Sequence, residues 1–421
     1  MINSRENQNT DLISIGLFAL LVLLGWLNIY AAEYDPENAQ SIFSLSTSAG
    51  KQLLWIGSAL VLGFFVYLLD YKFFDSYAYI IYFIFILLSI AVIFMGKEVS
   101  GAKAWFEIGA FRLQPSEFAK YATLMAVAKF LADTKQKELK NHHLIVTGII
   151  FFVPMVLTVL QKDTGTALVY TSLILVLFRE GMSPLILIGL VGLLVLFVLT
   201  LVIPKTILLI IIVIIALLVL GLMEKTLRSV GWGFVVMTLA IGMVISVDFA
   251  MNEVFQPHQR KRILSLVNPN ADPLGVGWNV TQSKIAIGSG GFSGKGFLNG
   301  TQTKFDFVPE QTTDFIFCTV GEEHGWIGAV TIVAIFCTLL VRLVNMAERQ
   351  KSHFARIFGY GVVSVLFFHF VINIAMTIGL FPVIGIPLPF FSYGGSSLWA
   401  FSLMFFTFLK LDAHRMQMLQ R

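Results

Sequence analysis

Charge is scarce in this sequence of 421 residues: Asp, Glu, Lys and Arg together make 13%, about half the ~25% of an ordinary soluble chain. That shortage excludes a large water-soluble globule, because too little polar surface exists to coat one. No strong excess of either sign exists. Lys and Arg number 29 against 25 Asp and Glu, and a net charge of +4 gives no electrostatic footprint for nucleic acid. Cysteine is nearly absent. Cys318 and Cys337 lie in apolar sequence, and on a single helix a rise of ~1.5 Å per residue would part them by ~28 Å, which excludes a disulfide. Internal repeats and low-complexity tracts are lacking too. What is abundant is apolar length, with 57% hydrophobic residues, 14% aromatic and a mean hydropathy of +0.82.

Runs of the ~20 apolar residues that a membrane crossing needs predict twelve spans, near 13–31, 51–69, 77–95, 117–132, 144–160, 165–178, 183–203, 206–223, 231–249, 314–342, 357–380 and 396–410. The first run exceeds the ~7–15-residue core of a signal peptide, and Arg5 alone precedes it, so it reads as an anchor that stays. With the N-terminus inside, sixteen Lys and Arg fall in inner segments, seven in short outer ones and six in the stretch 250–313. Cations concentrate on the cytoplasmic side, which places both termini there. The expectation is an all-α polytopic membrane protein, one domain over 1–421. Its outer stretch 250–313 is far longer than ordinary helix connections. It keeps Ile263, Leu264, Trp278, Ile285 and Phe292 among its turn signals, so it is expected to fold against the membrane face.

The run from Gly288 to Gly296 is no phosphate loop. Ser289 stands where the first Gly belongs, and Gly296 follows Lys295 where Ser or Thr belongs. It is either a flexible outer turn or a loop whose backbone N–H groups approach an anionic headgroup, with Lys284 and Lys295 as nearby cations. Asp314 opens the next helix. It either complements the free N–H groups there or sits at the lip of a membrane cavity, where partial desolvation suits a carboxylate to general-base work. Glu322 and Glu323 must face a wet interior or a partner, as a structural ion pair or as catalysts.

A second cluster holds Trp105, Arg112, Glu117 and Lys120. Lys120 opposes the dipole of a helix starting at Pro115, so Glu117 three residues earlier or an anionic ligand has to compensate. Trp105 is either an interfacial belt residue or part of that site. Asp163 and Thr164 are N-cap candidates in a tight outer turn. Residues 381–397, with three prolines and three glycines, cannot form a regular helix. Such backbone survives at membrane depth only against protein or a wet cavity, so this loop, Ser392 included, is expected to line a pocket. His142 and His143 read as a solvated segment, and the sequons at Asn279 and Asn299 as chance. Three titratable clusters and the irregular loop thus fall on one face, as a site for an anionic group with a long apolar tail would require.

The segments Gln114–Lys120, Gln282–Gly291, Gly300–Gln302, Pro309–Glu310, Thr313–Phe317 and Gly385–Ser396 resemble the SEDS family, with Gly300-Thr301-Gln302 resembling its elongation branch rather than its division branch. The resemblance covers nearly the whole chain. It implies a peptidoglycan glycosyltransferase that polymerises lipid II in cell elongation at the bacterial cytoplasmic membrane. It further implies a class B penicillin-binding protein and other elongation-machinery membrane proteins as partners. Asp314 matches the family's essential loop aspartate, its general base. Trp105, Arg112, Glu117, Lys120 and Asp163 match positions in the family's motifs around the lipid-substrate cavity, and Ser392 in the matching loop motif is expected to bind substrate with them. No cofactor is otherwise implied, and a divalent cation is left open. The family usually has ten spans, whereas 183–249 holds three apolar runs where one is expected, so two helices read as inserted. Ala104 and Gln311-Thr312 stand where the family usually has basic residues, and His324 where Leu is usual. Two rivals to the enzyme remain, a translocase for lipid-linked precursors and a non-catalytic cell-wall scaffold.

Overall fold

A computed structural model describes residues 10–37, 40–99, 101–109, 111–134, 141–222, 226–254, 276–303 and 307–415. The chain forms two units, one of 1–182 with 279–421 and one of Ser183–Trp278. In the first, α1 (Leu12–Ala32) and α2 (Ser48–Leu68) lead through a short α3 (Tyr71–Ser76) to α4 (Ala78–Met95). Three antiparallel strands follow, β1 (Lys97–Val99), β2 (Ala102–Ile108) and β3 (Phe111–Leu113). Then come α5 (Pro115–Thr134), α6 (Asn141–Leu160) and the pair α7 (Thr164–Val169) and α8 (Leu173–Arg179), joined by one 3₁₀ turn. The second unit carries α9 (Pro184–Val202), α10 (Lys205–Leu222) and α11 (Leu227–Phe249). The chain returns to the first unit within α12 (Val276–Ser289), which is followed by α13 (Ile316–Glu348), α14 (His353–Thr377) and α15 (Gly395–Ala413).

Helices stand at all twelve predicted positions. Among the described residues nine are long and apolar enough to cross a membrane, α1, α2, α4, α6, α9, α10, α13, α14 and a stretch Val230–Glu253 that extends α11. The others are α5 and α15, which carry more polar side chains, and the broken pair α7–α8. The reason is position. α5 packs against α4, α6, α14 and α15 and is buried without interruption from Pro115 to Ala128. A helix surrounded by protein has no need of lipid-compatible side chains. α9, facing outward throughout, has no buried residue and consists almost wholly of Leu, Ile, Val and Gly.

The small sheet and helix α12 were not foreseen. The sheet begins where α4 ends and turns the chain back into α5, and Lys103 N on β2 ties it to the end of α6 by donating to Gln161 O at 2.9 Å. Of the stretch 250–313, residues 255–275 and 304–306 lie outside the described part, and the rest includes α12 and the glycine-rich turn.

Candidate functional site: a pinned loop over four helix starts

Asp314 lies in the turn that delivers the chain to α13, half-buried and two residues before the first helical position. It is not the cap. Phe315 occupies that position and offers no side-chain bond. The carboxylate instead faces the irregular loop, where a Cβ placed on Gly385 would lie 3.3 Å from Asp314 Oδ2. Gly385 has φ +71°, a backbone state that side chains resist, so this position needs glycine for conformation and for room.

The loop 381–397 is fastened to the Asp314 segment at several points. Tyr393 N donates to Thr312 O at 2.9 Å, and Ser392 Oγ to Thr313 O at 2.6 Å. Ser392 Oγ also accepts from Leu388 N at 2.8 Å. Ser392 is therefore committed to backbone. Asn373 on α14 donates its amide to Asp314 O and to Ile386 O, each at 2.8 Å. The loop is thus a fixed wall, as irregular backbone at membrane depth must be.

Glu117 and Lys120 form an ion pair at 2.8 Å with both side chains almost completely buried. Lys120 Nζ also lies 3.0 Å from His369 Nε2 and over the Phe401 ring at 5.3 Å. These contacts compensate the Lys120 cation near the start of α5, and they enclose it in the core. Gln114, just ahead of α5, donates from Nε2 to Asp163 Oδ2 at 2.7 Å, while Asp163 Oδ1 caps α7 by accepting from Thr166 N at 3.0 Å. Burial pushes the Asp163 carboxyl above its ordinary value, against the opposing pull of the Thr166 N–H. Gln114 N donates to Ser396 Oγ at 3.1 Å, and Ser396 Oγ to Arg112 O at 3.0 Å. The N-terminal ends of α5, α7, α13 and α15 are therefore bonded into one cluster. The starts of α13 and α15 carry no side-chain cap, and their partial positive charges favour an anion there.

Trp105 and Arg112 sit on the sheet beside this cluster. Trp105, half-buried on β2, pairs with Lys97. Arg112 is exposed, with its Nε 3.3 Å from Glu107 Oε1. Lys97, and after it Arg112, hold the Glu107 carboxyl below the usual range.

The glycine-rich turn has a role that neither sequence reading contained. α13 breaks at Gly325, where φ is +61° and ψ −157°, and the turn 290–296 docks into the break. Trp326 N and Ile327 N donate to Gly291 O and Phe292 O at 2.9 and 3.2 Å. Lys295 N and Gly296 N donate to Glu322 O and Glu323 O at 3.0 and 2.9 Å. The turn thus satisfies the groups a broken helix would leave orphaned. Lys295 departs from its reading as an anion-facing cation, because its ammonium pairs with Glu322 Oε1 at 2.6 Å. Glu322, fully buried, also accepts from the backbone N–H groups of Thr301, Gln302 and Thr303 at 2.7, 2.9 and 3.1 Å. The structural reading of this glutamate holds. Lys284 is exposed on α12, its side chain running past Gly379. Among the described residues no cluster of three or more His, Cys, Asp or Glu could hold a metal ion.

The sequence reading missed His369 and Asn373. Both are fully buried on α14, one turn apart. Their signal was available, since two polar side chains at i and i+4 in an apolar run must face protein.

Fold and site together define a polytopic helical membrane protein with one irregular loop bonded over a cluster of helix N-termini. A family model described as cell cycle protein, covering FtsW, RodA and SpoVE, matches residues 11–211 and 203–417. The chain belongs to that family. It is 33% identical to the peptidoglycan glycosyltransferase RodA of Treponema pallidum, over 90% of this chain and 92% of that one. It is 32% identical to the peptidoglycan glycosyltransferase MrdB of Escherichia coli K12, over 98% and 97%. Among solved structures it superposes with a TM-score of 0.73 and 27% identity on a chain from a peptidoglycan synthase complex that coordinates polymerization and crosslinking, covering 97% and 99% of the two. With Thermus thermophilus RodA the TM-score is 0.62 at 23% identity, covering 98% and 99%.

Proposed function

We propose that this chain is a peptidoglycan glycosyltransferase that polymerises lipid II at the outer leaflet of the bacterial cytoplasmic membrane, with Asp314 as its general base. The observation that carries the assignment is the placement of Asp314, half-buried against Gly385 in a wall bonded on both sides. The carboxylate takes the proton of the acceptor N-acetylglucosamine 4-hydroxyl. That oxygen attacks the anomeric carbon of the donor N-acetylmuramic acid and forms the β-1,4 bond with inversion. The bond from that carbon to the pyrophosphate oxygen breaks, and undecaprenyl pyrophosphate leaves with the electron pair. General-base help of this kind is worth ~10²–10⁴-fold. Arg112 at the exposed rim, with the uncapped starts of α13 and α15, supplies positive charge where the pyrophosphate departs. Lys120 is too deep to touch it and acts through the groups it holds.

A class B penicillin-binding protein is the proposed partner, since the 0.73 superposition is with a chain of a synthase complex. Both termini are assigned to the cytoplasm on the cation count. Two of α9–α11 are proposed as additional to a ten-span core, and the family model's two stretches overlap at 203–211, the link after α9 and the first turns of α10. The test is lipid II supplied to the purified chain in vesicles, with and without a chelator. Glycan strands are expected. Lipid II that changes leaflet without forming polymer would instead make the protein a translocase.

A further inference from the structure

The two ring nitrogens of His369 face opposite chemistry. Nε2 lies 3.0 Å from the Lys120 ammonium and Nδ1 lies 3.1 Å from Pro387 O. An ammonium only donates hydrogen bonds and a carbonyl only accepts them. One form of the ring satisfies both, the neutral imidazole with its proton on Nδ1. The ring plane is fixed by Phe401, edge-to-face at 4.8 Å and 85°, and Lys120 sits over the same Phe401. One turn along α14, Asn373 holds the neighbouring carbonyl of Ile386 and, with the same amide nitrogen, the carbonyl of Asp314. Residues 386 and 387 thus hang from α14 by two consecutive carbonyls. The next residue back, Gly385, is the one against the Asp314 carboxylate.

Resting on the general-base reading of Asp314, we propose that His369 is a positioning residue for that carboxylate. Held in its Nδ1–H form by the Glu117–Lys120 pair, it suspends the Gly385–Pro387 backbone so that Asp314 is aimed at the acceptor hydroxyl. A buried ion pair that meets no substrate then acts on the reaction through one ring and one carbonyl. This also accounts for placing three ionisable side chains in the core, where burial is costly unless every partner is satisfied.

The test uses the full-length purified protein and its His369→Asn, His369→Leu and Asp314→Asn variants on lipid II. Asparagine still donates to Pro387 O from the place of Nδ1 but gives Lys120 no ring nitrogen, and leucine gives neither contact. The expected kcat loss is about tenfold for His369→Asn and on the order of 10²-fold for His369→Leu, the scale that a misplacement of ~1 Å produces. KM for lipid II is expected to stay within about twofold, because the group never touches substrate. A second arm needs no activity. Nitrogen-15 NMR of histidine-labelled protein is expected to show Nδ1–H for the signal that disappears in His369→Asn. Lys120→Met is expected to release that preference. Unchanged kcat in both His369 variants overturns the proposal. So does a kcat loss that follows Tm with no rescue by asparagine, or a ring protonated on Nε2. Wild-type polymerisation by Asp314→Asn is a separate outcome, which overturns the general-base reading and this proposal with it.

Discussion

An ammonium enclosed in protein is costly, and Lys120, the sixth residue of α5, is fully buried. What makes it tolerable is Glu117 at 2.8 Å with His369 at 3.0 Å. Glu117→Gln removes one charge and leaves the other uncompensated in the core, so a loss of about 3–5 kcal/mol is expected. Adding Lys120→Met to that variant is expected to recover much of it, and thermal unfolding in detergent measures both. Asp163 gives a prediction in pH. Its folded-state value is raised by burial, so the stability it contributes is present below the unfolded value of 3.8 and is lost as pH rises through the raised one. Asp163→Asn is expected to flatten that part of the Tm-against-pH curve. The spacing of Glu117 and Lys120 made their pairing legible in the sequence. The third member was not, because His369 meets them only through contact of α5 with α14, 249 residues apart in the chain.

At the scale of elements, α13 shows what hydropathy can and cannot convey. The run 314–342 reads as one uninterrupted span, and Ile316–Glu348 is indeed helical by hydrogen bonding, yet it is broken at Gly325. Apolar periodicity reports which side chains meet lipid. It is blind to a break whose orphaned groups are satisfied by a turn 30 residues earlier. The same blindness made the glycine-rich run look like a flexible turn or an anion loop, when its glycines serve backbone contact. A Cβ on Gly294 would stand 2.1 Å from Glu323 O, and one on Gly325 would stand 2.3 Å from Gly294 N. Gly325→Ala is therefore expected to cost at least the ~1–3 kcal/mol of backbone strain, with the clash in addition. Lower Tm and faster proteolysis within 290–303 would register it. Glu322→Gln is expected to loosen the same turn without altering α14 or α15, which differential hydrogen exchange can resolve.

Across the whole molecule, the polarity of the helices runs opposite to that of a water-soluble fold. α5 and α15 carry ions and are buried within their unit, while α9 and α10 are almost wholly apolar and exposed. Removing side-chain volume should thus depend on position and hardly on greasiness. Leu343→Ala, fully buried on α13, is expected to cost about 2–5 kcal/mol by leaving a cavity. Leu194→Ala on α9, 60% exposed, is expected to leave Tm nearly unchanged, because lipid replaces the lost contacts. The nine long apolar helices were legible because lipid imposes length and apolarity on each, whereas α5, α15 and the broken pair α7–α8 showed only as weaker apolar runs. The site was legible in part. Asp314, Asp163 and the irregular loop stood out as polar or broken chain where neither is cheap, while the bonds joining them exist only in three dimensions. The central claim is that the Asp314 carboxylate accepts a sugar proton at the outer face. Its most direct test is gel-resolved polymerisation of lipid II by purified Asp314→Asn beside wild type, at matched Tm. A loss of ~10²–10⁴-fold in strand synthesis with unchanged lipid II binding is expected, and strands made at the wild-type rate would contradict the claim.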